Sequence, residues 1–250
     1  LSSCKSPQQM FGAIAKSYYL EKNNLKKEDV VVVSIMPCTA KKFEAEREEM
    51  KDDVDYVLTT RELGRMIKQA GIDINKLEER EHDKLLGTST GAADIFGSSG
   101  GVMEAALRTA YEFISGKELK EIDFESARGI KGIKEAEVEI AGLKLKVAIA
   151  NGLGNARKIF ERIKKGEEFH FIEFMACPGG CIGGGGQPQA PRDEVIEKRL
   201  EALYEIDRNK KLRKSHDNPY IKKIYEEFLK EPGSHKAHEL LHTKYIERGV

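Results

Sequence analysis

Net charge is absent from this chain: Lys plus Arg and Asp plus Glu each number 42 in 250 residues. With no excess of either sign, bulk electrostatics gives no reason to expect nucleic acid or an anionic membrane as partner. Long apolar runs are missing too. No stretch approaches the roughly 18 residues of a membrane helix, and no signal peptide opens the chain. Cysteine is scarce, and four in a chain of this length do not make a disulfide scaffold. Without a secretory signal, spaced thiols read as metal ligands in a reducing compartment, which points to the cytoplasm, with the periplasm left open. An initiator Met is also lacking. Leu1-Ser-Ser-Cys4-Lys-Ser6-Pro7 reads as mid-domain sequence, so a processed, truncated or split polypeptide is expected.

What is present is ordinary globular composition, 40% hydrophobic and 34% charged with much Glu and Lys, in a chain long enough to bury a core. Residues 8–19 have helical spacing behind Pro7, which suits a first helical turn. Asp29 to Met36, with Val30-Val-Val-Val33, reads as a buried strand ending at Pro37-Cys38. A second strand is expected over 55–59. Thr60 then serves as N-cap of a helix through Ala70 closed by Gly71, and 72–86 reads as loop or short helix. The small-residue segment 87–101 leads into a helix over 102–115. Residues 135–140 and 143–150 alternate around Ala141-Gly142 as a hairpin. A helix over 155–165 and a strand over 169–174 follow. Strands alternating with helices argue for an α/β layered core. After Pro191 the chain turns to charged helices broken at Pro232-Gly233, with too few apolar residues for a core of their own. The expected organisation is therefore a main domain over 1–190 and a helical extension over 191–250 that wraps it.

The chemistry-bearing segment is Glu173-Phe-Met175-Ala-Cys177-Pro-Gly-Gly-Cys181-Ile-Gly-Gly-Gly-Gly-Gln187-Pro188. Two soft ligands stand four residues apart, followed by a run almost without side chains that lets backbone approach a bulky group closely. Cys38 and Cys177 both sit at strand ends, where ligands gather in open α/β sheets. Cys38, Cys177 and Cys181 are thus candidate metal ligands, one thiolate short of the four that usually hold a 4Fe–4S cube. The fourth is either Cys4 or a residue upstream of Leu1.

Met36-Pro37-Cys38-Thr39-Ala40-Lys41-Lys42-Phe43-Glu44 resembles the second signature motif of the FeFe-hydrogenases, and the Cys177–Cys181 segment resembles the third. Leu1 to Gln9 is similar to the stretch after the first motif, and Ile95 to Arg108 to a further family block. The tail, from Leu203-Tyr204 through Arg213-Lys-Ser-His216 to His238 and Tyr245, resembles the small-subunit-type extension. The resemblance implies family lobes with parallel or mixed sheets flanked by helices, plus a C-terminal helical wrap. It implies reversible H2 formation in an anaerobic microbe at an H-cluster, a 4Fe–4S cube bridged by cysteine to a diiron CO/cyanide centre. On that resemblance Cys38 and Cys177 are cube ligands, and Cys181 is the ligand whose sulfur bridges to the diiron unit. Cys4 occupies a non-ligand position. The remaining ligand belongs to an upstream segment. Lys41 is placed to donate to a cyanide, with a backbone contact from Pro37. Met36 and Met175 pack around the iron-bound ligands. Gln8 and Phe96 line the open iron position, and Ser2 belongs to the proton path. Implied partners are ferredoxin or iron–sulfur and flavin subunits, with no nucleic acid and no membrane insertion.

Blander readings stand beside these. Cys38 is otherwise a small buried hydrophobe, Lys41-Lys42 a solvated pair, and Met36, Met175 and Phe96 core filler. A non-catalytic relative that carries clusters or senses H2 is the rival function. Such relatives tend to lose the residues this chain keeps as Thr39, Lys41 and Gln187. A chain without the first motif is expected to be inert by itself. Two motifs read as decoys. His238-Glu239-Leu-Leu-His242 has the zinc-protease spacing but no third ligand downstream except Glu247, so it reads as a packing helix. Gly152-Leu-Gly154-Asn-Ala-Arg157 lacks the third glycine of a dinucleotide loop, so it reads as a tight strand-to-helix turn.

Overall fold

The computed structural model describes residues 1–121, 123–130, 132–188 and 192–247. In chain order the helices and strands are α1 (Pro7–Ile14), a π-helical turn (Ala15–Tyr19), α2 (Leu20–Asn23), β1 (Val33–Met36), α3 (Ala40–Ala45), β2 (Tyr56–Thr59) and α4 (Thr60–Gln69). There follow α5 (Gly91–Ile95), α6 (Gly101–Ser115), β3 (Ile133–Ile140), β4 (Leu143–Asn151), α7 (Leu153–Lys164), β5 (Phe171–Met175) and α8 (Asp193–Asn209). The last two are α9 (Pro219–Ile224), which runs into a π turn (Tyr225–Leu229), and α10 (His235–Leu241). The chain forms two compact units, one of Leu1–Thr88 with Pro219–Val250 and the other of Ser89–Asn218.

In the first unit, Ser6 caps α1 and Pro7 opens it, where its missing N–H costs nothing. Ile14 of this helix and Tyr18 of the π-helical turn after it bury against Ile224, Phe228, Leu229 and Ala237 of the C-terminal segment. β1 and β2 pair in parallel from Val33↔Tyr56 to Met36↔Thr59. The expected strand over 29–36 is only half realised. The Val32 N–H turns to the Asp55 carboxylate at 2.7 Å, so a side chain takes the place of a ladder partner. Nor is the strand fully buried. Val32 and Met36 pack on Ala45, Val54 and Val57, while Val33 and Ile35 alternate outward, 49% and 41% exposed. Thr59, one residue before the expected cap, starts α4. Its hydroxyl accepts from the Glu62 N–H, and the Glu62 carboxylate takes the Thr59 N–H at 2.7 Å. This capping box, led by the Thr59 N–H and helped by Lys42, holds the Glu62 carboxyl down at about 2.

In the second unit, β3 and β4 form the expected hairpin. Ala141 and Gly142, with φ of 51° and 84°, make the two left-handed residues of its turn. β4 also pairs in parallel with β5, from Val147↔Phe171 to Asn151↔Met175, so the three-stranded sheet is mixed and β4 is central. Met103 and Leu107 of α6 pack against Ile140, Val147 and Ile149. Ile159 of α7 packs against Ala148 and Ala150, on the alternate positions of β4. The α/β class with parallel and mixed sheets flanked by helices is thus the observed one. Gly152, at φ 83°, forms the strand-to-helix turn into α7.

The charged tail is divided between the units, α8 belonging to the second and α9 and α10 to the first. α8 seats Asp207 against Arg108 of α6, with two hydrogen bonds at 2.9 and 2.8 Å. α9 and α10 complete the core around Ile14 and Tyr18. The expected 190/191 boundary lies outside the described residues.

Candidate functional site

The cysteine motifs fall one in each unit, and each has its own local geometry. In the second unit, β5 delivers the chain to Cys177 two residues past Met175. The Cys177 carbonyl accepts the Gly180 N–H at 3.0 Å, and a 3-10 turn runs from Cys181 to Gly183. Both cysteines are half-buried. The glycines are demanded by packing and backbone shape. Gly179 and Gly180 have φ of 76° and 94°, and a Cβ on Gly180 would lie 2.6 Å from the Ser99 nitrogen. A Cβ on Gly183 would lie 2.2 Å from the Pro178 carbonyl oxygen. The N–H groups of Gly183 and Gly184 serve the loop itself, bonded to Gly180 and Cys181 at 3.0 and 2.9 Å.

Two segments neighbour this loop: one lies in the Ile95–Arg108 block already singled out from the sequence, and the other, Arg199, was not. The turn after Phe96 is stitched to the loop: Ser99 N–H donates to the Gly179 carbonyl at 2.9 Å, and Ile182 N–H to the Gly97 carbonyl at 3.0 Å. Arg199 of α8 donates to the Ile182 carbonyl at 2.7 Å. The small residues Gly97-Ser-Ser-Gly-Gly101 marked the turn in the sequence, and no signal marked Arg199. Phe96 and Met175, both expected at the site, are half-buried at the edges of this assembly.

In the first unit, Met36 ends β1, Pro37 bends the chain, and Cys38 stands half-buried before α3. The Lys41 ammonium pairs with Glu44 one turn on, at 2.5 Å, and the Ser6 hydroxyl holds the other Glu44 oxygen. Gln8 is buried. Its carbonyl oxygen accepts from the Ser34 hydroxyl at 2.8 Å, and its amide donates to the Lys41 carbonyl at 3.4 Å. Gln8, Lys41 and the strand carrying Cys38 therefore share one network. Beside it, both side-chain atoms of fully buried Gln9 have no hydrogen-bond partner among the described residues. Ser2 is exposed, with its hydroxyl oxygen accepting the Cys4 N–H at 3.2 Å. Cys4 is exposed too, and pairs by backbone with His242.

The donor chemistry suits an iron–sulfur group. Thiols are soft ligands, and each of the three candidate thiols is half-buried. The H-E-x-x-H helix is different. The His238 and His242 rings lie 4.2 Å apart, tilted by 32°, and His242 Nδ1 is engaged by the Ser3 hydroxyl at 2.8 Å. Leu240 and Leu241 pack on the unit's core, as a packing helix requires. Glu112, His216 and Asp217 also cluster closely enough to suggest a metal. The Lys214 ammonium already bonds both carboxylates, at 2.7 and 3.2 Å, so a cation is built in. Lys214, with the Leu119 N–H and His216, holds the Glu112 carboxyl at about 2.

The family described as "Iron only hydrogenase large subunit, C-terminal domain" matches residues 1–185, and "Iron hydrogenase small subunit" matches 193–248. The chain is 54% identical to the NADP-reducing hydrogenase subunit HndD of Solidesulfovibrio fructosivorans, over 99% of this chain and 43% of that protein. It is 34% identical to the cytosolic iron-sulfur assembly component 3 of Mus musculus, over 98% of this chain and 53% of that one. The solved FeFe-hydrogenase HydA1 of Chlamydomonas reinhardtii superposes with a TM-score of 0.83 at 43% identity, covering all of this chain and 71% of its own. The chain thus spans about half the length of these curated relatives.

Proposed function

Because the chain belongs to the iron-only hydrogenase family, we propose that it is the C-terminal part of a hydrogenase catalytic subunit. Cys38, Cys177 and Cys181 are its cluster ligands, and an upstream segment supplies the fourth. The H-cluster supplies an open iron position at which two protons and two electrons interconvert with H2. Cys38 and Cys177 would hold the cube, and Cys181 would be the ligand shared with the diiron unit. Lys41, held by Glu44, is the cation that faces the cyanides, with the Pro37 backbone beside it. Gln8, Phe96, Met36 and Met175 shape and dry the pocket. The Ser2 hydroxyl, which accepts from Cys4, keeps its own proton to pass inward. Electrons arrive from ferredoxin or from iron–sulfur and flavin subunits.

The observation that supports this reading is the Cys177–Cys181 loop, whose positive-φ glycines and stitched backbone carry two half-buried thiols. The test is anaerobic reconstitution together with the upstream segment and a synthetic diiron cofactor. Evolution of H2 from reduced viologen is expected, and inactivity of fully metallated protein would overturn the reading. The similarity to the iron-sulfur assembly component favours a second function, cluster carriage without catalysis. Infrared bands of iron-bound CO and cyanide separate the two: their absence beside an intact cube would select the carrier.

A further inference from the structure

One charge interrupts the apolar run of β5, and it is almost fully buried: Glu173 is 5% exposed in Phe171-Ile-Glu-Phe-Met175. A buried carboxylate demands partners, and its partners are the first amides of α6. The Gly100 N–H donates to one oxygen at 2.6 Å and the Met103 N–H to the other at 2.8 Å. Glu173 therefore caps a helix from a neighbouring strand, where the helix dipole favours negative charge. A second buried charge secures the same turn from the other side. Lys134 of β3, 8% exposed, donates to the carbonyls of Ser99, Ala127 and Gly129 at 3.1, 2.6 and 2.8 Å. All three ammonium protons are used. Gly100 threads between them at φ 94°, where a Cβ would stand 1.8 Å from the Ala127 carbonyl oxygen and 3.1 Å from Lys134 Nζ.

The residue between these two anchors is Ser99. Its carbonyl is held by Lys134, its N–H donates to Gly179, and its hydroxyl accepts from the Asn151 amide at 3.1 Å. One residue of the Cys177–Cys181 loop is thus tied, through Ser99, to two buried charges rather than to solvent-exposed backbone. Their burial also strains both ionised forms, pushing the Glu173 carboxyl up and the Lys134 amine down to about 8. Removing either group would leave its hydrogen-bond partners at this turn unpaired inside the protein.

We propose that Glu173 and Lys134 are positioning residues that set the Cys177–Cys181 loop by fixing the Gly97–Gly101 turn against it. This rests on the hydrogenase reading only for what the thiols hold; the positioning itself concerns the protein alone. The test is Glu173→Gln and Lys134→Met in the full chain, with Ile159→Val as a destabilised control from the opposite side of β4. The readout is the anaerobic iodoacetamide alkylation rate of each cysteine in iron-free protein, resolved by peptide mass, with exposed Cys4 as internal reference. Alkylation of Cys177 and Cys181 is expected to rise about tenfold in Glu173→Gln and Lys134→Met, equal to ~1.4 kcal/mol of local opening. It should stay at the wild-type ratio in Ile159→Val. Unchanged rates in both charge variants, or an equal rise in the control, would overturn the proposal. If a charge variant fails to fold, the other decides, since each anchors the turn independently. A wild-type chain that takes up no iron while the charge variants still open the loop would remove the hydrogenase reading and leave the positioning intact.

Discussion

Glycines of this chain divide by what surrounds them. Gly180 has φ 94° and no room, with Ser99 nitrogen 2.6 Å from any Cβ. A left-handed conformation alone costs an L-residue roughly 1–2 kcal/mol, and here the obstacle is rigid backbone. Gly180→Ala should therefore displace the Cys177–Cys181 loop and cut the iron bound per chain after anaerobic reconstitution. Full iron content in that variant would refute the role given to the loop. Gly154, in the first turn of α7, has nothing within 4 Å and no positive φ. Gly154→Ala should stabilise the chain by about 0.5–1 kcal/mol in urea titration, from helix propensity alone. The two substitutions look alike in the sequence. Their opposite signs come from φ and from neighbours distant along the chain.

At the scale of elements, α6 is the pivot of the second unit. Its Arg108 is fully buried, with carboxylates from Glu104 on its own helix and Asp207 on α8. Removing one partner of a buried ionic cluster typically costs 3–5 kcal/mol. Arg128 and Arg213 also reach these carboxylates, at 2.7 and 2.6 Å, so Arg108→Met should fall near ~3 kcal/mol in chemical denaturation. A loss below about 1 kcal/mol would mean that the outer arginines suffice. Near the far end of α6, Glu112 ties the helix to Lys214 and His216. Its carboxyl lies lower in the folded state than the ordinary 4.5, at about 2. The unfolded chain therefore binds more protons between these values, so the stabilisation is complete above pH 4.5 and lost as pH falls towards 2. Stability of Glu112→Gln should show a shallower pH slope across that window than wild type; an identical slope would contradict the assignment.

For the molecule as a whole, the decisive question is whether Cys38 and the Cys177–Cys181 pair serve one group. A ligand that binds only the folded chain stabilises it by about 4 kcal/mol at a thousandfold excess over its dissociation constant. For a chain of this size that is roughly 2–4 °C in Tm per kcal/mol. Iron–sulfur loading in the presence of the upstream segment should raise Tm accordingly. Cys38→Ala and Cys177→Ala should each abolish the whole increment, whereas Cys4→Ala should leave it; half-increments from the two ligand variants would indicate separate sites. Most of the longer elements were readable, because periodicity and turn chemistry are local: the Ala141-Gly142 hairpin and the Gly152 turn fell where they were expected, whereas the short helices α3 and α5 went unread. The cysteine spacing and glycine run were local as well, and they carried the family. Local pattern misled where a distant group intervened. Asp55 took the N–H of Val32 and shortened β1, and the Glu62 box moved the cap to Thr59. The charged tail read as one helical extension, yet α8 belongs to the second unit while α9 and α10 belong to the first. Glu173, a lone acid in an apolar strand, gave no hint of its partners, since Gly100 and Met103 lie some seventy residues before it. Its meaning, like that of Lys134 and Ser99, follows from burial, and burial is set by what the folded chain brings near, not by what lies beside a residue along it.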